Sequence, residues 1–291
     1  MWWIPVTLLA AAAQTGRNAA QRGLTAEIGT IGATAVRFVF GLPFAVAALT
    51  LWSFWHAIPM PGLPATGWFL LASVAQILAT ALMLATMRRR SFGVTTALIK
   101  TEPISVAIVG AVLLQDALSG PMLVAIATAT FGVLLISGFE WRGGAWRAAA
   151  LGIISGGLFG LTAIGVRAGV LDLAHGSNVT RALTALVVTQ ALQTVMIVLW
   201  LLLRDPGVLR GMMRLWRSSL GAGFLGALAS FFWFTGFSMT SAANVRTLGL
   251  VEVIMAQFVS GRIMREGVSK PQLIGFGLVI AGVAGLIAAS T

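Results

Sequence analysis

Two glutamates, Glu102 and Glu252, stand 150 positions apart, each well inside a long apolar run. A carboxylate at the centre of a membrane-spanning helix costs ~2.5–3.5 kcal/mol on insertion scales, so it normally faces a partner or a wet cavity. Each glutamate lies about nine residues into its run, or ~13 Å deep at the rise of an α-helix, close to the middle of a bilayer. Three cations share such surroundings, Arg37, Lys100 and Arg181. Lys100 and Glu102 are two residues apart and do not share a helix face, so each needs another partner. Two chemistries are open to this set. Either each glutamate pairs with an arginine as a fixed structural brace, or one of them takes up a proton or binds a substrate ammonium group while a cation holds a carboxylate.

Other polar groups occur in the apolar runs. Asn18, Gln76, Gln190 and Gln193 carry amides that must bond across helices or to a ligand, and the indole N–H of Trp233, within Phe231-Phe232-Trp233-Phe234, needs an acceptor. These five are the candidate substrate-binding residues. Pro103, next to Glu102, frees the carbonyl of Ile99 and predicts a kink beside the acid, and Pro43 gives a second candidate hinge. Val253 follows Glu252 where a proline follows Glu102, which predicts that one half bends and the other turns as a unit.

The elements that position these groups are read from the apolar runs. Of 291 residues, 58% are hydrophobic and 9% charged, against about 25% charged in an ordinary soluble domain. A spanning helix needs about 20 mostly apolar residues. Ten such runs are present, at 4–21, 29–52, 66–87, 93–114, 120–139, 149–168, 179–203, 218–240, 243–264 and 271–290. The expected fold class is an all-α membrane protein of ten transmembrane helices. Met1 to Pro5 has no basic n-region, so the first helix is expected to stay. There is no cysteine, and the two histidines, His56 and His175, are far apart. Thiol and zinc chemistry are not expected, and no metal site or cofactor is assigned. The cations lie between apolar runs instead of forming patches on a polar fold, so no nucleic-acid partner is expected. Gly152, Gly156 and Gly160, and Gly275, Gly282 and Gly285, are read as close-packing positions. In the loop after Asp205, Arg210, Arg214 and Arg217 fall on one face, and Leu209, Met213 and Trp216 on another. That spacing fits either a short helix in the headgroup region or an irregular basic loop.

The halves repeat. A shift of 150 residues brings Glu102 onto Glu252, Asp116 onto Glu266, Pro121 onto Pro271 and Gly132 onto Gly282, and a slightly smaller shift brings Arg37 onto Arg181 and Arg22 onto Arg167. Each half, 1–142 and 143–291, then holds five helices. Five is odd, so the second half enters the membrane from the opposite side, as in inverted-repeat transporters. The repeat pairs Glu102 with Arg37 and Glu252 with Arg181, or the reverse.

Particular stretches carry a family resemblance: Ala35-Val36-Arg37-Phe38, Glu102-Pro103, Leu114-Gln115-Asp116-Ala117-Leu118-Ser119 and Met264-Arg265-Glu266-Gly267-Val268-Ser269. The chain resembles the EamA-type branch of the drug/metabolite transporter superfamily along almost its whole length. Asp116 and Glu266 match the acid of that family's Gly-Glu-Arg-Leu-Thr-like stretch, whereas Ala117 and Gly267 replace its arginine. In Gly16-Arg17-Asn18, Asn18 matches the family's Trp-Gly-Ser-Asn and Thr15 stands in place of the tryptophan. The resemblance implies a secondary active transporter of small metabolites, amino-acid export among its activities, working by alternating access.

The alternatives are an anionic-metabolite exchanger using Arg37, Arg181 and Lys100, a membrane-embedded enzyme, and a channel. Asp172 and His175 lack a paired nucleophile, and there is no filter-like repeat or nucleotide-binding motif. No enzyme activity is expected. The partners expected are a small-molecule substrate and the lipid bilayer, with proton coupling through Glu102 or Glu252 as an option. Thirteen cations, from Arg22 to Lys270 and including Arg142, Arg147 and Arg265, lie on the side opposite the termini, against two, Arg167 and Arg246, on the terminal side. The positive-inside rule then places both termini of an inner-membrane protein outside. The family resemblance implies the reverse.

Overall fold

The computed structural model describes residues 1–90, 92–100, 102–136, 145–262 and 269–290. Among these the chain forms thirteen helices and no strand. They are α1 (Trp3–Val39), α2 (Leu42–Ser53), α3 (Leu63–Met87), α4 (Phe92–Ile99), α5 (Pro103–Leu114), α6 (Gly120–Ile136) and α7 (Ala145–Leu171). The chain continues with α8 (Asn178–Arg204), α9 (Pro206–Arg214), α10 (Trp216–Met239), α11 (Ala242–Leu248), α12 (Val251–Arg262) and α13 (Lys270–Ala289). Among the described residues seven helical stretches are long and apolar enough to cross a membrane, and α6 is a shorter apolar helix. With backbone hydrogen bonds satisfied inside each helix, apolar side chains can face lipid at little cost. Leu70, Leu78, Val112, Leu199 and Ile280 are accordingly exposed.

The long α1 is two helices joined at a reversal. Gly29 has φ +70 and ψ 175, a conformation that a residue with a Cβ rarely adopts. Gln21 Nε2 donates to the carbonyl of Ala33 at 2.7 Å, although twelve residues of unbroken helix would separate them by ~18 Å. The helix of residues 30–39 then stops at Phe40 and Gly41 and resumes as α2, with Pro43 in its first turn.

The fourth apolar run is interrupted beside Glu102, with α4 ending at Ile99 and α5 starting at Pro103. A proline at the first helical position suits a fresh start, because its missing N–H has no partner to lose there. The ninth run is interrupted as well, at Gly249 and Leu250, three residues before Glu252. The expectation that only the proline-bearing half bends is therefore corrected. In the second half a glycine supplies the break.

Three interfaces dominate the packing: α1 with α10, α3 with α7, and α6 with α13. Small residues set all three. A methyl at Gly132 would lie 2.6 Å from the Gly275 carbonyl, and one at Gly282 would lie 2.6 Å from that of Ala125. The basic segment after Asp205 is helical. Met212 is the residue of α9 that is buried, whereas Met213 and Trp216 are exposed. Of the two expected forms the helix is the one observed, and Met213 and, at the start of α10, Trp216 face outward, as an apolar face turned to the headgroup region would.

Candidate functional site

Glu252 is held on both carboxylate oxygens. Lys100 Nζ lies 2.7 Å from Oε2, Gln14 Nε2 donates to Oε2 at 2.7 Å, and Asn18 Nδ2 donates to Oε1 at 3.1 Å. Gln14 and Asn18 are four residues apart, hence on one face of α1. Asn18 is oriented in turn by Arg17, whose Nη2 and Nε donate to its Oδ1 at 2.6 and 3.1 Å.

Glu102 pairs with Arg246 of α11 through Nη2 and Nε, both on Oε1. Its Oε2 has no hydrogen-bond partner and points toward α7, where a methyl at Gly156 would lie 3.3 Å from it. Gly156 and Gly160 thus open the space that the interrupted fourth run occupies.

Trp233 of α10 joins the two ion pairs. Its Nε1 donates to Gln14 Oε1 at 2.9 Å. Lys100 Nζ and Arg246 Cζ stand 5.0 and 5.4 Å from its ring centroids, within cation–π range. A methyl at Gly249 would lie 2.5 Å from the indole, so the glycine that breaks the ninth run also admits the ring. Beside this cluster a cavity of ≈ 20 Å³ is lined by Gln14, Gln76, Thr162, Trp233 and Arg246. That is room for about one water and far below the ~300–1,000 Å³ of an ordinary ligand site. The centre is closed in this conformation.

The pairing expected from the repeat is corrected on both counts. Arg37 bonds to two hydroxyls, Thr80 Oγ1 at 3.0 Å and Ser230 Oγ at 3.1 Å. Arg181 sits in the first turn of α8, half-buried, away from Glu252. Sequence correspondence between halves does not fix a side chain's neighbours: Arg37 is fully buried, whereas Arg181 is half-buried at the start of α8. Arg246, counted above among the terminal-side cations, is buried in α11 at 4% exposure. Its place inside the run 243–264 was the signal. Gln14 was also missed, although an amide one turn from Asn18 in an apolar helix points to that face.

Of the candidate lining residues, Asn18 and Trp233 join the central network, and Gln193 Nε2 donates to Gln76 Oε1 at 2.6 Å. Gln190 is buried with neither amide atom partnered. Pro103 is buried at the fourth-run break, and Pro43 is exposed at the start of α2. Asp116, from the family-like stretch, is held by Arg167, with Nη2 and Nε at 2.6 and 3.0 Å from Oδ1. Arg167 also donates to the carbonyl of Phe237 at 2.7 Å, tying the end of α5 to α7 and α10. The counterpart acid Glu266, with Met264, Arg265, Gly267 and Val268, lies outside the described residues, as does Arg142.

A helical bundle with spans of membrane length and a buried, ion-paired centre at helix interruptions defines a multi-pass membrane protein of the transporter type. Residues 1–138 match the EamA-like transporter family, so the first half of this chain is similar to the membrane transporters of that family. A solved crystal structure superposes with TM-score 0.75 over 99% of this chain and 97% of that one, at 11% identity. That likeness shows the fold alone. No curated protein matches the sequence.

Proposed function

We propose that this protein is a secondary active transporter that exports small metabolites, amino acids among them, by alternating access between two inverted five-helix repeats, residues 1–142 and 143–291. The observation that carries the reading is reciprocal pairing. Lys100 of the first half neutralises Glu252 of the second, and Arg246 of the second neutralises Glu102 of the first. Relative movement of the halves must break or exchange both pairs, so a charged cargo or a proton that substitutes for a partner favours the change. Interrupted helices at the midplane also leave backbone groups free for cargo.

Ten crossings follow if residues 3–28 and 30–53 are counted separately and α6 and the interrupted α11–α12 count as one each. The packing supports the repeat: the first limb of α1 lies along α10, with Thr7 at Gly236 and Gly16 at Leu225, as α7 lies along α3, with Gly165 at Ala72. These are equivalent helix pairs under a two-fold relation of the halves.

The candidate lining residues are Asn18, Gln76, Gln190, Gln193 and Trp233, with the breaks at Pro103 and near Pro43 as hinges. Flux of labelled amino acids in proteoliposomes tests the reading; counterflow by none of a broad metabolite panel overturns it. We assign both termini to the outside of an inner membrane. Burial of Arg246 removes one of the two terminal-side cations from the charge count, which sharpens the asymmetry. A cytoplasm-only reporter that is active at the C-terminus overturns that orientation.

A second reading, exchange of anionic metabolites, is favoured by Arg37, which has no carboxylate partner. Lys100, assigned to the anion on that reading, is already paired with Glu252.

A further inference from the structure

The buried charges do not balance. Among the described residues four buried side chains are cationic, Arg17, Arg37, Lys100 and Arg246, and two are carboxylates, Glu102 and Glu252. Lys100 and Arg246 consume both acids. Arg17 and Arg37, 0% and 1% exposed, have no carboxylate within ion-pair distance among the described residues. Both also keep unused donors, Nη1 of Arg17 and Nε of Arg37. Their other bonds go to neutral oxygens, of Asn18 for Arg17 and of Thr80 and Ser230 for Arg37.

The two stems flank one glycine. A methyl at Gly226 would lie 3.0 Å from Arg37 Cγ and 3.6 Å from Arg17 Cδ. Two guanidiniums desolvated side by side repel, and a brace does not require them. A planar fork of donors matches carboxylate and phosphate oxygens, and an unpaired buried charge is strongly unfavourable until a counter-charge arrives.

We propose that Arg17 and Arg37 form an oxyanion-binding subsite and that its cargo is a small organic dianion, a dicarboxylate or a phosphate monoester. The inference rests on the transport reading but takes the second, anionic reading of the cargo in place of the amino-acid one, and names its class. Two negative charges complete the buried balance, whereas a zwitterion leaves it at two positive.

The test uses the purified full chain and four probes: succinate, glycerol phosphate, alanine and, for ionic strength, sodium chloride. Wild type is expected to melt at higher temperature with succinate or glycerol phosphate and not with alanine or salt, and the two dianions separate the carboxylate from the phosphate source. R37Q is expected to melt higher than wild type without ligand, because it removes an uncompensated charge. It is also expected to lose the dianion shift, with the apparent Kd raised about tenfold or more. A structural brace predicts the reverse, a lower melting temperature with the dianion shift kept, and that result overturns the subsite. R17Q gives the same comparison independently, should R37Q not fold. A shift with alanine alone, or with no probe, also overturns it. Proteoliposome flux keeps the two readings apart. Alanine flux unchanged in R37Q removes the dianion subsite and leaves transport standing. Dianion-dependent stabilisation without flux of any cargo leaves the subsite standing and removes transport.

Discussion

Lys100 and Glu252 meet at 2.7 Å with both side chains 1% exposed, although 152 positions separate them in the chain. The pair is one half of an exchange between the two halves of the protein, completed by Arg246 and Glu102. Each acid sits at an interruption of its own helix run, where rotation or tilt changes its distance to the partner most directly.

Removing one member strands a buried charge. K100M is expected to destabilise the protein by ~3–5 kcal/mol, and E252Q by less, because the new amide can still bond Gln14 or Asn18. The double variant K100M/E252Q should recover much of the loss in a double-mutant cycle read by detergent melting. Additive losses would show that the pair does not couple.

Glu102 and Glu252 are not equivalent as proton acceptors. Glu252 uses both oxygens on three donors, whereas Glu102 leaves Oε2 free beside α7. E102Q is expected to abolish the pH dependence of flux, and E252D to retain it. Flux across a series of pH gradients decides this, and an unchanged profile in E102Q removes Glu102 as the coupling group.

The glycines of α7 hold the interrupted run in place. At Gly156 a methyl would run into the Ile99 carbonyl. G156A is expected to cost ~1–3 kcal/mol by overpacking and G157A, where a methyl meets nothing within 4 Å, close to none. Equal melting temperatures for the two variants would contradict the packing described.

Trp233 contributes a ring and a donor. W233F keeps a face for the two cations and loses the bond to Gln14, for ~0.5–1.5 kcal/mol. W233A also opens a cavity and is expected to cost ~3–5 kcal/mol. If the two lose stability equally, the ring does not organise the centre.

The site was partly legible before the fold. Glu102, Lys100, Glu252 and Arg37 stood out because charge within an apolar run is unfavourable without a reason. Asn18, Gln76, Gln193 and Trp233 stood out as polar groups in lipid-length helices, and each has a buried partner. The break at Glu102 was announced by Pro103, whereas the break near Glu252 was not, since Gly249 is one glycine among 34. The tight turn at Gly29 joins two helices that sequence reading separates, because only the backbone angle there shows where the chain reverses.

The sequence by itself determined a helical membrane bundle with acids inside its apolar runs, because apolar length and position along a run are local properties. Only the tertiary structure decided that Lys100 meets Glu252, that Arg246 meets Glu102, and that Arg17 and Arg37 are left with neutral oxygens. An ion pair needs side chains from different helices within about 4 Å. Which ones come that close depends on the rotation and register of each helix, and these are set by glycine contacts between segments far apart in the chain, such as Gly156 at Ile99 and Gly226 at Arg37.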